Sequence, residues 1–573
     1  MEDSTFFVAL LKACAKKKDI CEGTRLHADI LKQGLLEKSP YLGSSLISMY
    51  TKCGMLSKAQ QVFDELPIRD IVCWNALITG YAQHGQGHKA ISCFDQMQSD
   101  DGISPNEVTF ICILKACGST RSIDIGKQIH DKILSMGLLE KYVMLGTALV
   151  DMYAKCDMLT KAEYVFKALG LRDIVTWSAL IAGYAQQGQS YEALRCFKEM
   201  QSEGLSPNTV TFICILKACG INEGKQIHEE IVSRGLLLGE NIVLTNALLD
   251  MYVRCGYLSN AYEVLEQLPC RNVVSWNTLI GGYAKYGLCE DVINCLGYMQ
   301  NEGISPNAVT FIGILKACCN IGALHMGENM HNQIARMGLL RKDIVLGTTL
   351  VDMYAKCGAL AKSQQVLEEL PNRDVVSWSA LIAGYAEEGQ VHKALCCLEC
   401  MRNEGFTPNE VTFLCILSAC GHSGLMDKAQ ILFQNMEKEC GMIPSSEHHI
   451  SMIVVYGNAG HFDNAMSVIK VMPSSEYGEI WLILLGACRK WGNVKLGKLA
   501  FDEITHLDNS LSTAYVVMAN IYAAAGMHED AANIEKMRVE NVAWKKSTWV
   551  DAMRNLNSSS VWDANAWKIK KHV

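Results

Sequence analysis

The stretch VTWSALIAGYAQQG around Trp177 returns as VCWNALITGYAQHG around Trp74, VSWNTLIGGYAKYG around Trp276 and VSWSALIAGYAEEG around Trp378, at intervals of 103, 99 and 102 residues. Within it, Trp177, Leu180, Ile181 and Tyr184 fall at offsets that share one helical face. Asp173 precedes the run as an N-cap, and Gly188 stands where a helix ends. The next stretch, SYEALRCFKEMQSEG, repeats the helical spacing with Ala193, Leu194, Phe197 and Met200, until Gly204 and Pro207 stop it. The unit is therefore a pair of helices.

Two further strings recur between these. ILKAC ends at Cys117, Cys219 and Cys318, with LLKAC at Cys14 and ILSAC at Cys420; MYTKCG at Met49 returns from Met152, Met251 and Met353. The long period thus holds three kinds of unit, of about 36, 31 and 35 residues. Eight of the ten prolines (Pro67, Pro105, Pro207, Pro269, Pro306, Pro371, Pro408 and Pro473) fall at unit ends, so none breaks a helix. A pair this short cannot bury its apolar face alone and must stack on its neighbours. The expectation is an all-α, right-handed superhelical solenoid of helix-turn-helix repeats with a long concave surface.

Composition narrows the class. The 573 residues are 49% hydrophobic, too apolar for disorder, and no apolar run approaches the roughly 18 residues that span a bilayer. Met1-Glu2-Asp3 is acidic and leads straight into a helical pattern, which fits neither a signal peptide nor an Arg-rich presequence. The chain is expected to begin inside a repeat, with no targeting segment and an incomplete start. Its 25 cysteines lie inside apolar runs and read as buried thiols in a reducing compartment. A net charge of −8 confines any nucleic-acid-binding strip to a groove.

Comparing repeats within the chain isolates the positions that vary. The residue after each Trp is Asn75, Ser178, Asn277 or Ser379; its counterpart in the short units is Ser44, Thr147, Asn246 or Thr348. The last residue of a unit is Asp70, Asn106, Asp173, Asn208, Asn272, Asn307, Asp374 or Asn409. Small polar side chains inside an unvarying apolar frame can discriminate base edges, as in RNA readers that take one base per repeat. They can equally satisfy local backbone groups. Lys12, Lys115, Lys217 and Lys316 in the long units, with Lys52, Lys155, Arg254 and Lys356 in the short ones, lie on the same helix face and are candidate phosphate contacts. The periodic Trp, Tyr and Met belong to the apolar stripe and read as core.

Unit lengths and order resemble the pentatricopeptide repeat family, in its plant subclass of alternating P, L and S motifs. Residues 1–39 resemble an L unit, 40–409 alternating S, P and L units, and 410–477 a final L and S pair; 478–511 and 512–547 look like the E1 and E2 motifs, and 548–573 is a divergent tail. Tetratricopeptide repeats share the Trp, Leu and Tyr frame but run at a uniform 34 residues. The resemblance implies sequence-specific binding of single-stranded organellar RNA, in a mitochondrion or chloroplast, and C-to-U editing with a DYW-type deaminase recruited in trans. Its two-residue code implies that Ser44/Asp70 and Thr147/Asp173 read G, Asn75/Asn106 reads C and Ser178/Asn208 reads A. Asn246/Asn272 and Asn277/Asn307 would read pyrimidines, Thr348/Asp374 G and Ser379/Asn409 A. The implied target is 5′-nGCnGAnYYnGAnn. The other readings are a transcript stability, splicing or translation factor, and a protein-interaction scaffold.

The chain departs from the family pattern where the L unit after Cys219 is four residues short before Gly224, which leaves local register open, and where Asp157 replaces a Gly. Val542–Val550 lacks the usual Pro-Gly stretch. No catalytic site, metal or cofactor is expected. His228-Glu229-Glu230 fits H-x-E only superficially, because the same His recurs as His27, His130 and His331, and Cys397 with Cys400 reads as a pair of packed thiols without a second pair.

Overall fold

A computed structural model describes residues 2–36, 40–99, 102–237, 241–268, 271–438, 440–472 and 477–540. Val542–Val550 and the tail 548–573 lie outside the described residues, as do Pro269 and Pro473. The described residues fold as helical hairpins throughout, the expected all-α solenoid, and divide into two compact units, 1–282 and 283–573. No described helix is long and apolar enough to cross a membrane.

In the first unit the leading helices of successive hairpins pack side by side. Glu2–Lys17 lies against Pro40–Lys52, followed by Ile71–Gln83, Glu107–Thr120, Val143–Lys155, Ile174–Gln186, Thr209–Leu216 and Ile242–Arg254. Each trailing helix, such as Leu56–Glu65 or Ile123–Ser135, packs on its own leading helix and on the next one. The second unit repeats this plan from Ala308–Ile321 through Ile344–Lys356, Val375–Glu387, Glu410–Ser423, Ser446–Ala459 and Tyr477–Trp491 to Ser512–Ala524. The segments expected as E1 and E2 are thus two more hairpins, Tyr477–Trp491 with Val494–Leu507 and Ser512–Ala524 with residues 528–540.

The apolar stripes meet between layers. Trp74, Trp177, Trp276 and Trp378 are buried, as are Met49, Met152, Met251 and Met353. Phe63 meets Trp74 edge-on, and Phe166 meets Trp177 likewise, each at 4.5 Å between ring centroids. Where a long unit meets a short one, the backbone approaches so closely that a Cβ on Gly126 would lie 2.6 Å from the Met152 sulfur. The neighbouring histidine turns Nδ1 to a tyrosine hydroxyl: His27 to Tyr50, His130 to Tyr153, His228 to Tyr252 and His331 to Tyr354, at 2.8–3.0 Å. His228 is therefore a packing residue of this interface.

The departures have local explanations. Thr209–Leu216 has 8 residues where its counterpart Glu107–Thr120 has 14, yet the following register holds. The His228–Tyr252 bond repeats the His130–Tyr153 bond, and Gly224 approaches Met251 as Gly126 approaches Met152. Asp157 takes the left-handed conformation (φ 61°) held by Gly at Gly54, Gly256 and Gly358. Its carboxylate is engaged by Arg121 at 3.2 Å and by Gln187 at 3.2 Å. The expectation of packed thiols at Cys397 and Cys400 is corrected: Cys397 is buried but Cys400 is exposed, because the buried stripe of this helix runs through Ala394, Cys397, Leu398 and Met401 and Cys400 falls past its edge. The described cysteines are free thiols, and burial pushes Cys117, Cys196, Cys295 and Cys488 up to about 12.

Candidate nucleic-acid interface

The terminal residue of one repeat is the N-cap of the next leading helix. Asp70 Oδ1 accepts from the Cys73 amide at 2.8 Å, Asp173 from Thr176 at 2.8 Å, and Asn208 from Thr211 at 2.9 Å. Asn106, Asn272, Asn307, Asp374 and Asn409 do the same for Thr109, Ser275, Thr310, Ser377 and Thr412. Asn106 and Asn208 are exposed, and the other six caps are half-buried. Four opening N–H groups give each such helix end partial positive charge. The cap carboxylates Asp70, Asp173 and Asp374 would repel a phosphate there and carry lone pairs able to accept from an N–H group.

The residue at the fifth position of each repeat lies one turn deeper. Ser44, Asn75, Thr147, Ser178 and Ser379 are buried, and Asn246, Asn277 and Thr348 half-buried. None is fully exposed. Most reach across to the following hairpin. Thr147 Oγ1 lies 2.7 Å from Thr176 Oγ1, Ser178 Oγ 2.8 Å from Thr211 Oγ1, and Ser379 Oγ 2.6 Å from Thr412 Oγ1. Thr109 donates to Asn75 Oδ1 at 2.7 Å, and Ser275 to Asn246 Oδ1 at 2.7 Å. Asn75 Nδ2 donates to Asn106 Oδ1 at 3.1 Å, and Thr348 Oγ1 to Asp374 Oδ1 at 3.4 Å. Among the described residues Ser44 bonds only its own turn, through Tyr41 O at 3.2 Å. So the side chains meet directly at Asn75/Asn106 and Thr348/Asp374 and through an intervening hydroxyl at Thr147/Asp173, Ser178/Asn208, Asn246/Asn272 and Ser379/Asn409. The local backbone bonds weighed as the alternative are present beside them: Ser178 and Ser379 each sit 2.7 Å from the carbonyl one turn back.

Two sets of residues here were not singled out from the sequence. The first is the buried hydroxyl three residues after each cap: Thr109, Thr176, Thr211, Thr310, Thr412, Ser275 and Ser377. Its signal was legible, as a Thr or Ser at a fixed offset after every Asn or Asp except Asp70, where Cys73 stands. The second is an exposed apolar residue two places after each cap: Val72, Val108, Val175, Val210, Val274, Val309, Val376 and Val411, with exposures from 47% at Val72 to 59% at Val309. These side chains flank the caps and offer aliphatic faces to a flat ring.

The eight basic candidates are all exposed. Lys155 pairs with Asp151 at 2.7 Å and Lys356 with Asp352 at 3.0 Å, one turn away on the same helix, as surface pairs of little strength. Arg254 differs, because its Nη2 donates to Leu216 O at 2.7 Å and Cys219 O at 3.4 Å. Lys12, Lys52, Lys115, Lys217 and Lys316 engage no carboxylate among the described residues.

Two family models match the hairpins: the PPR repeat family over residues 69–119, 172–220, 271–320 and 373–422, and the PPR repeat over 44–71, 243–273, 411–440 and 449–477. A putative pentatricopeptide repeat-containing protein of Arabidopsis thaliana is 32% identical over 96% of this chain and 77% of its own length. The chain belongs to the pentatricopeptide repeat family. Two further Arabidopsis pentatricopeptide repeat-containing proteins, one named mitochondrial and one chloroplastic, are 34% and 32% identical over 92% of this chain; it spans 69% and 65% of theirs. Among solved structures, the pentatricopeptide repeat protein PPR10 in complex with an 18-nt psaJ RNA element aligns with a TM-score of 0.57 at 16% identity, covering 93% of this chain and 84% of that one. That likeness is one of fold.

Proposed function

We propose that this pentatricopeptide repeat protein binds single-stranded RNA in a sequence-specific manner, one nucleotide to a hairpin, along the N-terminal ends of its leading helices. The observation that carries this reading is the recurring constellation of an amide or carboxylate cap, a small polar side chain one turn deeper, and an exposed valine between caps. The polar pair offers donors and acceptors to a base edge, the valines offer apolar contact to its faces, and the unpaired lysines offer charge to the backbone. The complex of PPR10 with RNA supports the same use of this fold.

In this reading the protein acts in a mitochondrion or chloroplast, as the names of relatives suggest. It marks sites for C-to-U editing, with the hairpins of residues 478–540 engaging a deaminase supplied by another chain. Its own part is recognition rather than catalysis. The test is equilibrium binding of the purified chain to single-stranded RNA of the order 5′-nGCnGAnYYnGAnn and to a shuffled control. Tighter binding of the ordered RNA is expected, and equal binding of both would refute base reading. Editing is tested separately, by loss of the protein in its own organelle: loss of conversion at specific C residues supports it, and unaltered editing at every site refutes it.

A further inference from the structure

Three side chains meet at most read positions, and the third fixes the polarity of the other two. Resting on the base-reading function above, we propose that the hydroxyl three residues after the cap decides whether the fifth-position side chain presents a proton or a lone pair to the groove. It is a positioning residue, buried and out of reach of the base.

Counting protons fixes the direction of each bond. A threonine has one O–H, and an ionised carboxylate only accepts. Thr176 Oγ1 lies 2.7 Å from Asp173 Oδ1 and 2.7 Å from Thr147 Oγ1. The charge-assisted bond takes the Thr176 proton, so Thr176 must accept from Thr147. The proton of Thr147 then points inward and only lone pairs remain for the groove. That suits the N–H donors of guanine. Thr348 reaches the same polarity by another route, donating to Asp374 Oδ1 directly.

A neutral cap reverses the outcome. Asn208 Oδ1 already accepts the Thr211 amide at 2.9 Å, and it competes for the Thr211 hydroxyl proton (3.0 Å) without a charge. Ser178 Oγ lies 2.7 Å from Ile174 O, which can only accept, so Ser178 donates there and accepts from Thr211. The Ser178 oxygen keeps that partner when its own proton swings from the carbonyl to a base nitrogen. Serine with an asparagine cap thus offers a donor, which suits adenine. Ser379, Thr412 and Asn409 repeat the arrangement. At Asn75 and Asn246 the positioning hydroxyl donates to the amide oxygen, so the NH2 group turns its N–H bonds outward; at Asn75 one goes to Asn106 Oδ1 and the second serves as the donor, which suits the acceptor edge of a pyrimidine.

Cys73 is the exception that makes the inference testable. A thiol is a weak donor and acceptor, and Ser44 makes no bond to it or to Asp70 among the described residues. The Ser44/Asp70 site should therefore separate guanine from adenine less sharply than Thr147/Asp173.

The experiment measures binding of the full chain to RNAs differing in one nucleotide, opposite Thr147 or opposite Ser44. Thr176→Val keeps shape but removes the hydroxyl, and Thr176→Ser restores it. The expected result is a fall in the guanine-over-adenine ratio of about 2- to 10-fold for Thr176→Val at its own position only, with recovery in Thr176→Ser. Cys73→Thr should raise that ratio at the Ser44 position, and this arm decides the matter if Thr176→Val fails to fold. An unchanged ratio in a folded Thr176→Val, or in Cys73→Thr, overturns the inference while base reading stands. A wild-type chain that prefers no base at any position removes the base-reading function itself.

Discussion

Arg254 donates from Nη2 to the carbonyl of Leu216 at 2.7 Å, across the interface between two successive hairpins. Leu216 ends a leading helix that stops early and leaves carbonyls without intrahelical partners, which the guanidinium satisfies. The corresponding residues Lys52, Lys155 and Lys356 follow leading helices of ordinary length. Arg254→Ala should lower the chemical-denaturation midpoint by the equivalent of about 1–2 kcal/mol, with Arg254→Lys recovering only part. A midpoint equal to wild type in Arg254→Ala would show that solvent caps the helix equally well.

Close backbone approach predicts a ranking of glycine substitutions. A Cβ on Gly80 would lie 2.3 Å from Thr51 Cγ2 and 2.7 Å from Thr51 Cβ, whereas one on Gly327 would meet the sulfur and terminal methyl of Met353. Threonine is stiff at χ1, and methionine can bend away. Gly80→Ala should cost about 2–3 kcal/mol and Gly327→Ala about 1 kcal/mol, read from thermal unfolding of each variant. The reverse order would contradict the packing described.

The buried histidines predict a loss of stability in acid. Burial holds His27, His130, His228 and His331 below the ordinary value of 6.5, and Nε2 of His27 and His228 is buried without a partner among the described residues. The unfolded chain takes up these protons near pH 6.5 while the folded chain resists them. Their contribution is therefore full above that pH and lost as pH falls from about 6.5 through the depressed folded values. The melting temperature should fall between pH 7.5 and pH 5.5, and less steeply when His130 and His228 are replaced by Gln. Parallel pH profiles for the two proteins would argue against this.

Exchanging one polar side chain tests the reading positions directly. Asn75→Ser replaces an amide by a hydroxyl beside an unchanged Asn106 and should move the preferred nucleotide at that position from C toward A, measured by competition among four RNAs. No movement would remove Asn75 from the code.

Salt dependence tests the basic strip. Log affinity for single-stranded RNA should fall against log salt with a slope of about −0.7 for each phosphate neutralised. Lys115→Ala and Lys217→Ala should each flatten that slope. Slopes identical to wild type would place both lysines off the path of the backbone.

The hairpins were legible in the sequence because helical spacing recurs in every repeat, and caps and unit-end prolines, where they occur, agree with it. Trp177, Tyr184 and Met152 are core as expected, and Asp173 caps as expected. What periodicity could not show is how neighbouring hairpins share protons. Thr176 and Thr211 stand at the edge of apolar runs and look like helix starts, and only packing reveals that each also touches the fifth-position side chain of the repeat before. Exposure was equally hidden: Val175 and Val210 are apolar, yet they lie off the stripe that faces the core. Cys400 erred in the other direction, placed with the core through its neighbour Cys397.

The abbreviated helix Thr209–Leu216 loses its closing turns while its opening turn, cap and cross-hairpin hydroxyl contact remain in place. If one nucleotide is met per hairpin, as proposed, insertions and deletions that fall at the far ends of leading helices can accumulate during evolution without changing the phase in which successive nucleotides are met. Those that fall ahead of a cap would shift the frame for every base beyond.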